Sequence, residues 1–197
     1  MSKQKRRLVV GITGASGAIY GVRLLHLLGA TDIESHLVMS RSAKITLTQE
    51  MDMGVAEVSA LASVVHQVDN VGASIASGSF RTMGMVIAPC SMRSLAEIAT
   101  GATSSLVTRA ADVVLKERRR LVLIVREAPL HLGHLRAMTA ATEIGAIVYP
   151  PVPAFYARPA SLEQMVDHTL GRVLDLFDID NEAVSRWGGL NSIKNSE

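Results

Sequence analysis

The sequence predicts an α/β fold in which a parallel sheet carries helices on both faces. Strand-like runs alternate with helical runs along the chain, which is the order of a parallel sheet with crossover helices. The strand-like runs are apolar throughout, so both faces of each strand are expected to be buried. We expect the 197 residues to form one domain over 1–197, with a core at 8–177 and a C-terminal tail at 178–197.

The elements follow in order along the chain. Predicted strands cover residues 8–12, 33–39, 85–88, 121–125 and 146–149. Predicted helices cover residues 18–28, 42–50, 54–62, 91–99, 104–117, 133–144 and 162–177. The strand at 85–88 is expected to stop at Pro89, which has no N–H for the sheet. Because ligands bind outside the carboxyl ends of parallel strands, residues just after each strand are the candidates for a functional site.

Composition and charge argue against several classes of protein. The 20 Lys and Arg and 18 Asp and Glu nearly balance and are scattered, so no nucleic-acid partner is predicted. No apolar run is long enough for a membrane span, and the basic start of the chain leads straight into a strand rather than into a signal sequence. The single cysteine, Cys90, predicts a reducing cytoplasm and a small core residue rather than a nucleophile.

A glycine-rich loop, Gly11-x-x-Gly14-x-x-Gly17, follows the first strand. It is either a tight turn or a phosphate-binding loop, in which free N–H groups at the start of the next helix would face the anion. The second strand ends in Ser40-Arg41, without the acid that NAD proteins use for the ribose. Arg41 leaves NADP open, but a Tyr-x-x-x-Lys pair is absent, so a mononucleotide such as FMN fits better.

Other polar residues also follow predicted strands. Ser91 and Ser94 either cap a helix or face a ligand, and Arg93 beside them is either a surface charge or part of the site. The pair at 126–127, Arg-Glu, follows a fully apolar strand and is either an ion pair at a helix start or an anion contact.

Two further patterns lie on predicted helices. Arg109, Asp112 and Lys116 recur at spacings of three and four, which is typical of an exposed ladder of ion pairs. His131-x-x-His134 has no third ligand nearby in the sequence, so no metal is predicted.

Six segments of the chain share features with one known family. They are Val10-Gly11-Ile12-Thr13-Gly14-Ala15-Ser16-Gly17-Ala18, Ser77-Gly78-Ser79-Phe80, Ala88-Pro89-Cys90-Ser91-Met92, Arg109-Ala110-Ala111-Asp112-Val113-Val114-Leu115-Lys116-Glu117, Arg126-Glu127-Ala128-Pro129-Leu130 and Pro150-Pro151-Val152-Pro153-Ala154-Phe155-Tyr156. Together they resemble the UbiX flavin prenyltransferases. The resemblance extends from about Leu8 to Trp187 and keeps the order of the segments. It implies a Rossmann-like or flavodoxin-like fold.

The resemblance also implies a role for individual residues. Those matching FMN contacts are Gly14, Ala15, Ser16, Ser40, Ser91, Met92, Arg93, Ser94 and Arg126. Those matching the prenyl-phosphate pocket are Arg109, Lys116, Glu127, Tyr156 and Arg172, with Trp187 near the mouth. Ser16 and Glu50 match polar groups beside the reacting edge of the flavin, so Ser16, Glu50, Glu127 and Lys116 are the expected catalytic residues. Arg93 stands where the family usually has lysine, and its planar guanidinium changes that contact.

The implied reaction is metal-independent transfer of a dimethylallyl group from dimethylallyl phosphate to N5 and C6 of reduced FMN. The prenylated FMN then serves a UbiD-type decarboxylase. The family also implies a homo-oligomer, typically a dodecamer, with FMN at subunit interfaces. His131-Leu132-Gly133-His134-Leu135-Arg136 resembles the branch that serves ubiquinone synthesis, and the phenolic-acid branch is the alternative.

Two other functions remain open at this point. One is an FMN- or NADP-dependent oxidoreductase, which Arg41 allows. The other is a non-catalytic FMN-binding protein, which would not need the cations that match the prenyl-phosphate pocket. The asparagine-containing blocks of the related peptidyl-cysteine decarboxylases are missing from this sequence.

Overall fold

The computed structural model describes residues 5–181 and 183–184. Its strands are β1 (Arg7–Ile12), β2 (Glu34–Met39), β3 (Val64–His66), β4 (Gly84–Cys90), β5 (Arg120–Val125) and β6 (Ile147–Val148). Its α-helices are α1 (Ala18–Gly29), α2 (Arg41–Glu50), α3 (Val55–Ala60), α4 (Met92–Thr100), α5 (Leu106–Lys116), α6 (Leu132–Glu143) and α7 (Leu162–Asp175). Among these residues, no helix is long and apolar enough to cross a membrane.

The six strands form one parallel sheet in the order β3-β2-β1-β4-β5-β6. The chain leaves β1 towards β2 and β3, and later continues from β4 towards β5 and β6. Strand order therefore reverses between β1 and β4, and the carboxyl ends of these two strands flank the crevice where such sheets bind ligands.

Aliphatic side chains bury both faces of the sheet. One face carries a cluster in which β1, β2, β4 and β5 pack against α4 and α5, including Val9, Val38, Met85, Ile87, Leu123, Leu95, Leu106, Val107, Ala110 and Val114. The connection from β1 to β2 and the connection from β4 to β5 run in opposite directions across the sheet, so right-handed crossovers place their helices on opposite faces. Helix α1 therefore covers the other face, with Val22, Leu25 and Leu28 fully buried. The predicted α/β fold with helices on both faces is confirmed.

Serine side chains start three of the helices next to the sheet. Ser40 accepts a hydrogen bond from the N–H of Ala43 at 3.0 Å, and Ser91 accepts one from that of Ser94 at 3.3 Å. Ser105 caps α5 in the same way. Such caps satisfy N–H groups that the helix leaves unpaired, and each contributes on the order of 1 kcal/mol. They also place three hydroxyls near the carboxyl edge of the sheet.

Two elements differ from the sequence-based prediction. β3 was not predicted, because it is only three residues long and follows a helical pattern without a clear break. β4 does not stop before Pro89 but runs through it to Cys90, with a shift in its pairing with β5 between Ile87 and Cys90. The shift accommodates the missing N–H, and the carbonyls of Pro89 and Cys90 still accept hydrogen bonds from Thr13 and Arg126.

The chain divides into two compact units, one up to Pro151 and one from Val152. The sheet and α1 to α6 lie in the first unit. In the second unit, Ser161 caps α7 by accepting a hydrogen bond from the N–H of Gln164 at 3.2 Å. The Tyr156 ring packs edge-on against His168, with ring centroids 5.7 Å apart. The expectation of one domain over residues 1–197 stays a prediction.

Candidate functional site

Thr13 ties together the ends of the two central strands. Its N–H and its hydroxyl both donate to the carbonyl of Pro89, at 3.2 and 2.8 Å. The same hydroxyl accepts a hydrogen bond from the N–H of Ser91 at 2.8 Å. The buried Thr13 therefore holds the glycine loop after β1 against the segment that starts α4.

A cleft of about 400 Å³ opens beside this junction, at the carboxyl ends of β2 and β4. Its floor and walls are rich in hydroxyls, supplied by Ser40, Ser42, Ser91, Ser94, Ser104 and Ser105. Ser40 and Ser42 lie 3.1 Å apart through their hydroxyl oxygens, and Ser91 and Ser94 lie 3.2 Å apart. The starts of α2, α4 and α5 meet at this cleft, and helix starts lined with hydroxyls favour an anion such as a phosphate ester.

Gly14 packs directly on Ser42, which lines the cleft. A Cβ at position 14 would collide with the Ser42 hydroxyl and lie 2.5 Å from its Cβ. The carbonyl of Gly14 also accepts a hydrogen bond from the Thr46 hydroxyl at 3.4 Å. The glycine is needed here for close approach of the loop to α2, which agrees with a loop that cradles a ligand.

Glu50 lies at the other end of α2 and binds the start of α1. Its Oε2 accepts hydrogen bonds from the N–H groups of Gly17 and Ala18, at 2.8 and 2.9 Å. Burial raises the pKa of Glu50, but hydrogen bonds from Ser16, Ala18 and Gly17 outweigh it, so the pKa lies below its usual range. The N–H groups of Gly17 and Ala18 therefore bind a carboxylate of this chain, and phosphate binding by the glycine loop stays a prediction.

Arg126 follows β5 and brings a positive charge to the same edge. Its charge makes the smallest of several contributions that lower the pKa of Glu50. Burial raises the pKa of Tyr20, and the charge of Arg126 partly offsets that rise. The N–H of Arg126 donates to the carbonyl of Cys90 at 3.3 Å. Arg126, Glu50 and Ser16 therefore form one polar group beside the glycine loop.

Two ion pairs border the cleft. Arg41 binds Asp69 at 2.9 Å, and Arg93 binds Glu97 at 2.9 Å, one turn further along α4. Both guanidinium groups are largely exposed to solvent. Burial raises the pKa of Glu97, but the hydrogen bonds from Ser104 and Arg93 together have a larger, opposite effect, so the pKa lies below its usual value. Arg93 is therefore held at the rim by Glu97, and the neighbouring Met92 packs against the core.

Arg109 and Lys116 occupy different positions along α5. Arg109 binds Asp112 at 2.6 Å, which is the pair expected of a helical ladder. Lys116 instead binds Glu117 at the end of the helix, just before β5 begins. Since α5 has 11 residues and a helix rises 1.5 Å per residue, Lys116 lies about 15 Å along the helix from its start at the cleft.

The remaining expected site residues are placed as follows. Ser16 and Glu127 are exposed, and Glu127 accepts a hydrogen bond from the N–H of Ala128 at 3.1 Å. Ala15 is half-buried in the glycine loop. Tyr156 and Arg172 belong to the second unit, where Arg172 binds Asp175 at 2.7 Å. Trp187 lies outside the described residues.

Several residues of the site were not predicted. Ser42, Ser104 and Ser105 line the cleft, and Thr13 holds its two sides together. Ser42 stands three residues after the end of a strand, and Ser105 lies at the start of the helix predicted over 104–117, so both carried a weak local signal. Thr13 carried none beyond its place in the glycine loop, because its partners lie 76 and 78 residues away.

His131, His134 and Cys90 have structural roles rather than roles in a metal site or as a nucleophile. His131 starts α6 by accepting a hydrogen bond from the N–H of Gly133 at 3.0 Å, and its ring stacks on His134. Within residues 5–181 and 183–184, no three metal-binding side chains cluster. Cys90 is fully buried, and burial raises the pKa of its thiol to about 12, so it is a core residue as predicted.

The residues around the cleft fit FMN in their chemistry. Hydroxyls and helix starts suit a single phosphate group. No acidic residue ends β2, where NAD proteins need one. The arrangement can therefore bind a mononucleotide and present Ser16, Glu50 and Arg126 beside it.

Comparison with known proteins agrees with this geometry. The Flavoprotein family matches residues 1–186. The flavin prenyltransferase UbiX of Escherichia coli is 60% identical over 187 residues, which are 93% of this chain and 99% of that protein. The UbiX of Thauera aromatica is 54% identical over 93% of this chain and 94% of that protein.

Solved structures give the same result. A crystal structure of AnUbiX in complex with FMN and dimethylallyl pyrophosphate matches with a TM-score of 0.93 and 48% identity, over 94% of this chain and 99% of that one. A dodecameric FMN-dependent UbiX-like decarboxylase from Escherichia coli matches with a TM-score of 0.90 and 47% identity, over 93% and 100% of the two chains. The chain therefore belongs to the Flavoprotein family and, within it, to the flavin prenyltransferases of the UbiX type.

Proposed function

We propose that the protein transfers a dimethylallyl group from dimethylallyl phosphate to reduced FMN. The observation that carries the proposal is the hydroxyl-rich cleft at the carboxyl ends of β2 and β4, with Glu50, Ser16 and Arg126 beside the neighbouring glycine loop. The high identity to UbiX proteins over nearly the whole chain supports it.

Residues around the cleft would hold FMN. Ser40, Ser91 and Ser94 offer hydroxyls for a phosphate. The backbone of Gly14 and Ala15 and the charge of Arg126 are proposed as further FMN contacts. Bound and reduced, FMN supplies the nucleophilic nitrogen and carbon that accept the prenyl group. The protein itself has to orient the two substrates and to manage protons and charge.

Glu50 and Ser16 are the proposed proton-handling groups. The depressed pKa of Glu50 keeps it ionised at neutral pH, and the Ser16 hydroxyl donates to it. An ionised carboxylate linked to a hydroxyl can take up a proton released at the reacting edge. Its bonds to Gly17 and Ala18 fix the direction from which it does so.

The phosphate leaving group needs compensation of its negative charge. As the bond between the prenyl carbon and the phosphate oxygen breaks, the oxygen keeps the electron pair. Arg109, Lys116 and Arg172 are the cations proposed to stabilise that charge, with Tyr156 as a hydroxyl donor and Glu127 as a further polar group of the same pocket. No metal ion is needed when cations surround the phosphate in this way.

We also propose that complete sites form between subunits of a homo-oligomer. Lys116 lies far along α5 from the cleft of its own chain, so it is better placed to serve a neighbouring cleft. The dodecameric relative from Escherichia coli supports an oligomer of that size. FMN binding and activity are expected to be lost on dissociation, and active FMN-bound monomers at high dilution would contradict this.

One experiment tests the activity. The purified protein is loaded with FMN and incubated without oxygen with a reductant and dimethylallyl phosphate, and the mass of the released flavin is measured. We expect a gain of one prenyl unit, unaffected by chelators. An unchanged flavin indicates a carrier, while consumption of NADPH without a change in mass indicates an oxidoreductase.

The product's destination follows from its chemistry. A prenylated flavin is a cofactor rather than an end product, so we propose a UbiD-type decarboxylase as its recipient, within ubiquinone synthesis. The cytoplasm stays the proposed location, because the single cysteine suits a reducing compartment.

A further inference from the structure

The side chain of Lys116 is held in place rather than free. Lys116 is the last residue of α5, and its ammonium donates to the carboxylate of Glu117. Adjacent side chains on a helix normally point in different directions. Here they meet because the helix ends at this point. The Lys116 side chain is still 47% exposed, so its ammonium can be reached by a ligand.

The chain turns sharply after this pair. The N–H of Arg118 donates to the carbonyl of Leu115, and the N–H of Arg119 donates to that of Val114, both at 2.9 Å. These two bonds form a Schellman motif, and Arg118 takes the left-handed conformation, with φ of 57°, that glycine usually fills. A non-glycine residue there costs about 1 kcal/mol or more, so the turn is maintained against strain.

Beyond the turn, Arg119 binds a loop that does not line the cleft. Its guanidinium donates to the carbonyls of Phe80 and Gly78, at 2.8 and 2.7 Å. It also lies 3.9 Å from Glu117 Oε2 and is only 16% exposed. Arg119 therefore joins the loop at 77–80 to the carboxylate that binds Lys116.

Gly78, in this loop, leaves space for the ion pair between Lys116 and Glu117. A Cβ at position 78 would collide with the Glu117 carboxylate and lie 2.7 Å from Lys116 Nζ. The φ of Gly78 is not in the left-handed region, so the backbone conformation does not require glycine. Space for the Glu117–Lys116 pair is the requirement at this position.

We propose that Glu117 and Gly78, braced by Arg119, position Lys116 to bind the phosphate of dimethylallyl phosphate; this inference depends on the function proposed above. A lysine ammonium has three N–H donors. Glu117 occupies one and leaves two for the phosphate. Holding the flexible side chain in one place beforehand removes part of the entropy that binding would otherwise cost. A hydrogen bond from Lys116 lowers the pKa of Glu117, so this carboxylate stays ionised at neutral pH.

The test separates positioning from simple structural support. Glu117→Gln removes the charge that holds Lys116, and Gly78→Ala pushes the pair off the loop. The matched controls are Glu143→Gln, an exposed acid at the end of α6, and Gly29→Ala, where a Cβ meets nothing within 4 Å. Each variant is loaded with FMN, and adduct formation is followed in single turnovers against the concentration of dimethylallyl phosphate. Inorganic phosphate is titrated as a competitor.

We expect Glu117→Gln and Gly78→Ala to raise the half-saturating concentration of dimethylallyl phosphate by roughly fivefold to tenfold. The inhibition constant of inorganic phosphate should rise in parallel, while FMN binding and the unfolding temperature stay near the parental values. Glu117→Asp, which keeps the charge, should recover part of the loss. In a Lys116→Ala background, Glu117→Gln should have no further effect, because it acts through that lysine.

Other outcomes overturn the inference. Tighter binding in Glu117→Gln would mean that the carboxylate competes with the phosphate for Lys116. A further loss in the Lys116→Ala background, or parental behaviour of both variants, would mean that Glu117 and Gly78 do not act through Lys116. If the parental protein forms no prenylated flavin, the proposed function itself fails, which this series detects before any variant is compared.

Discussion

The carboxylate of Glu50 and the N–H of Gly17 join the end of α2 to the start of α1, with 2.8 Å between Oε2 and the nitrogen. This bond gives Glu50 two tasks. It satisfies N–H groups that α1 would otherwise leave unpaired, and it places an ionised acid beside Ser16 and Arg126. A substitution at Glu50 must therefore be assessed for stability as well as for rate.

Glu50→Gln is expected to keep FMN binding and to slow prenyl transfer by about 10²–10⁴-fold, the usual contribution of a general base. The glutamine oxygen can still accept from Gly17, so we expect a loss of stability of about 1 kcal/mol or less. Single-turnover adduct formation, FMN titration and chemical unfolding measure the three effects. Adduct formation at the parental rate, or loss of FMN, would refute the role of Glu50 in proton transfer.

Gly14→Ala is expected to lower FMN affinity at least about tenfold, because the added methyl group collides with Ser42 and has to push the glycine loop away from α2. Gly29→Ala is the control, since its Cβ meets open space. Fluorescence titration with FMN measures both. Equal affinities for the two variants would show that the loop does not contact the flavin.

The protein is expected to lose stability in two stages on acidification. Burial lowers the pKa of His36 below 6.5, and this effect is larger than the rise caused by the neighbouring Glu34 carboxylate. On acidification His36 is therefore protonated in the unfolded chain before it is protonated in the folded one, and stability falls as the pH drops below 6.5. Hydrogen bonds from Arg7, Lys5 and His36 lower the pKa of Glu34 from 4.5 to about 2, so a second loss follows between pH 4.5 and 2.

The groups facing His36 are Glu34, Arg7 and the neighbouring His66, whose pKa is lowered by burial and by His36. Unfolding temperatures from pH 8 to pH 2 measure the two stages. Glu34→Gln should remove the lower one, whereas Glu143→Gln should leave both in place. An unfolding temperature that is independent of pH below 6.5 would contradict this assignment.

Arg118→Gly is expected to stabilise the protein by about 0.5–1 kcal/mol. Glycine takes the left-handed conformation of this position without strain, and this gain exceeds the extra freedom of the unfolded chain. Arg118→Ala keeps the strain and serves as the control. Urea unfolding of both variants gives the difference, and a glycine variant no more stable than the alanine variant would contradict the prediction.

The sequence predicted the sheet well because apolar runs such as Leu121–Val125 reflect burial on both faces. It also located the edge that carries the cleft, since every strand ends there. It could not predict β3, which depends on pairing with β2 rather than on its own three residues. Pro89 was expected to end β4, but the shift in pairing with β5 is a property of the neighbouring strand.

Individual partners in the site were harder to predict than its location. The bond between Thr13 and Pro89, and the one between Glu50 and Gly17, join residues that are far apart in sequence. The spacing of Arg109, Asp112 and Lys116 suggested one ladder, yet Asp112 binds Arg109, while Lys116 turns to Glu117. Helix termination decides that choice, and periodicity carries no information about it.

The length of α5 has a consequence for mixed assemblies. One end of this helix borders the cleft of its own chain, and the other carries Lys116. If neighbouring chains share sites as proposed, chains with a defective glycine loop and chains lacking Lys116 can complement each other. A hybrid oligomer of two inactive polypeptides would then regain some working sites, in a proportion set by how the chains are mixed.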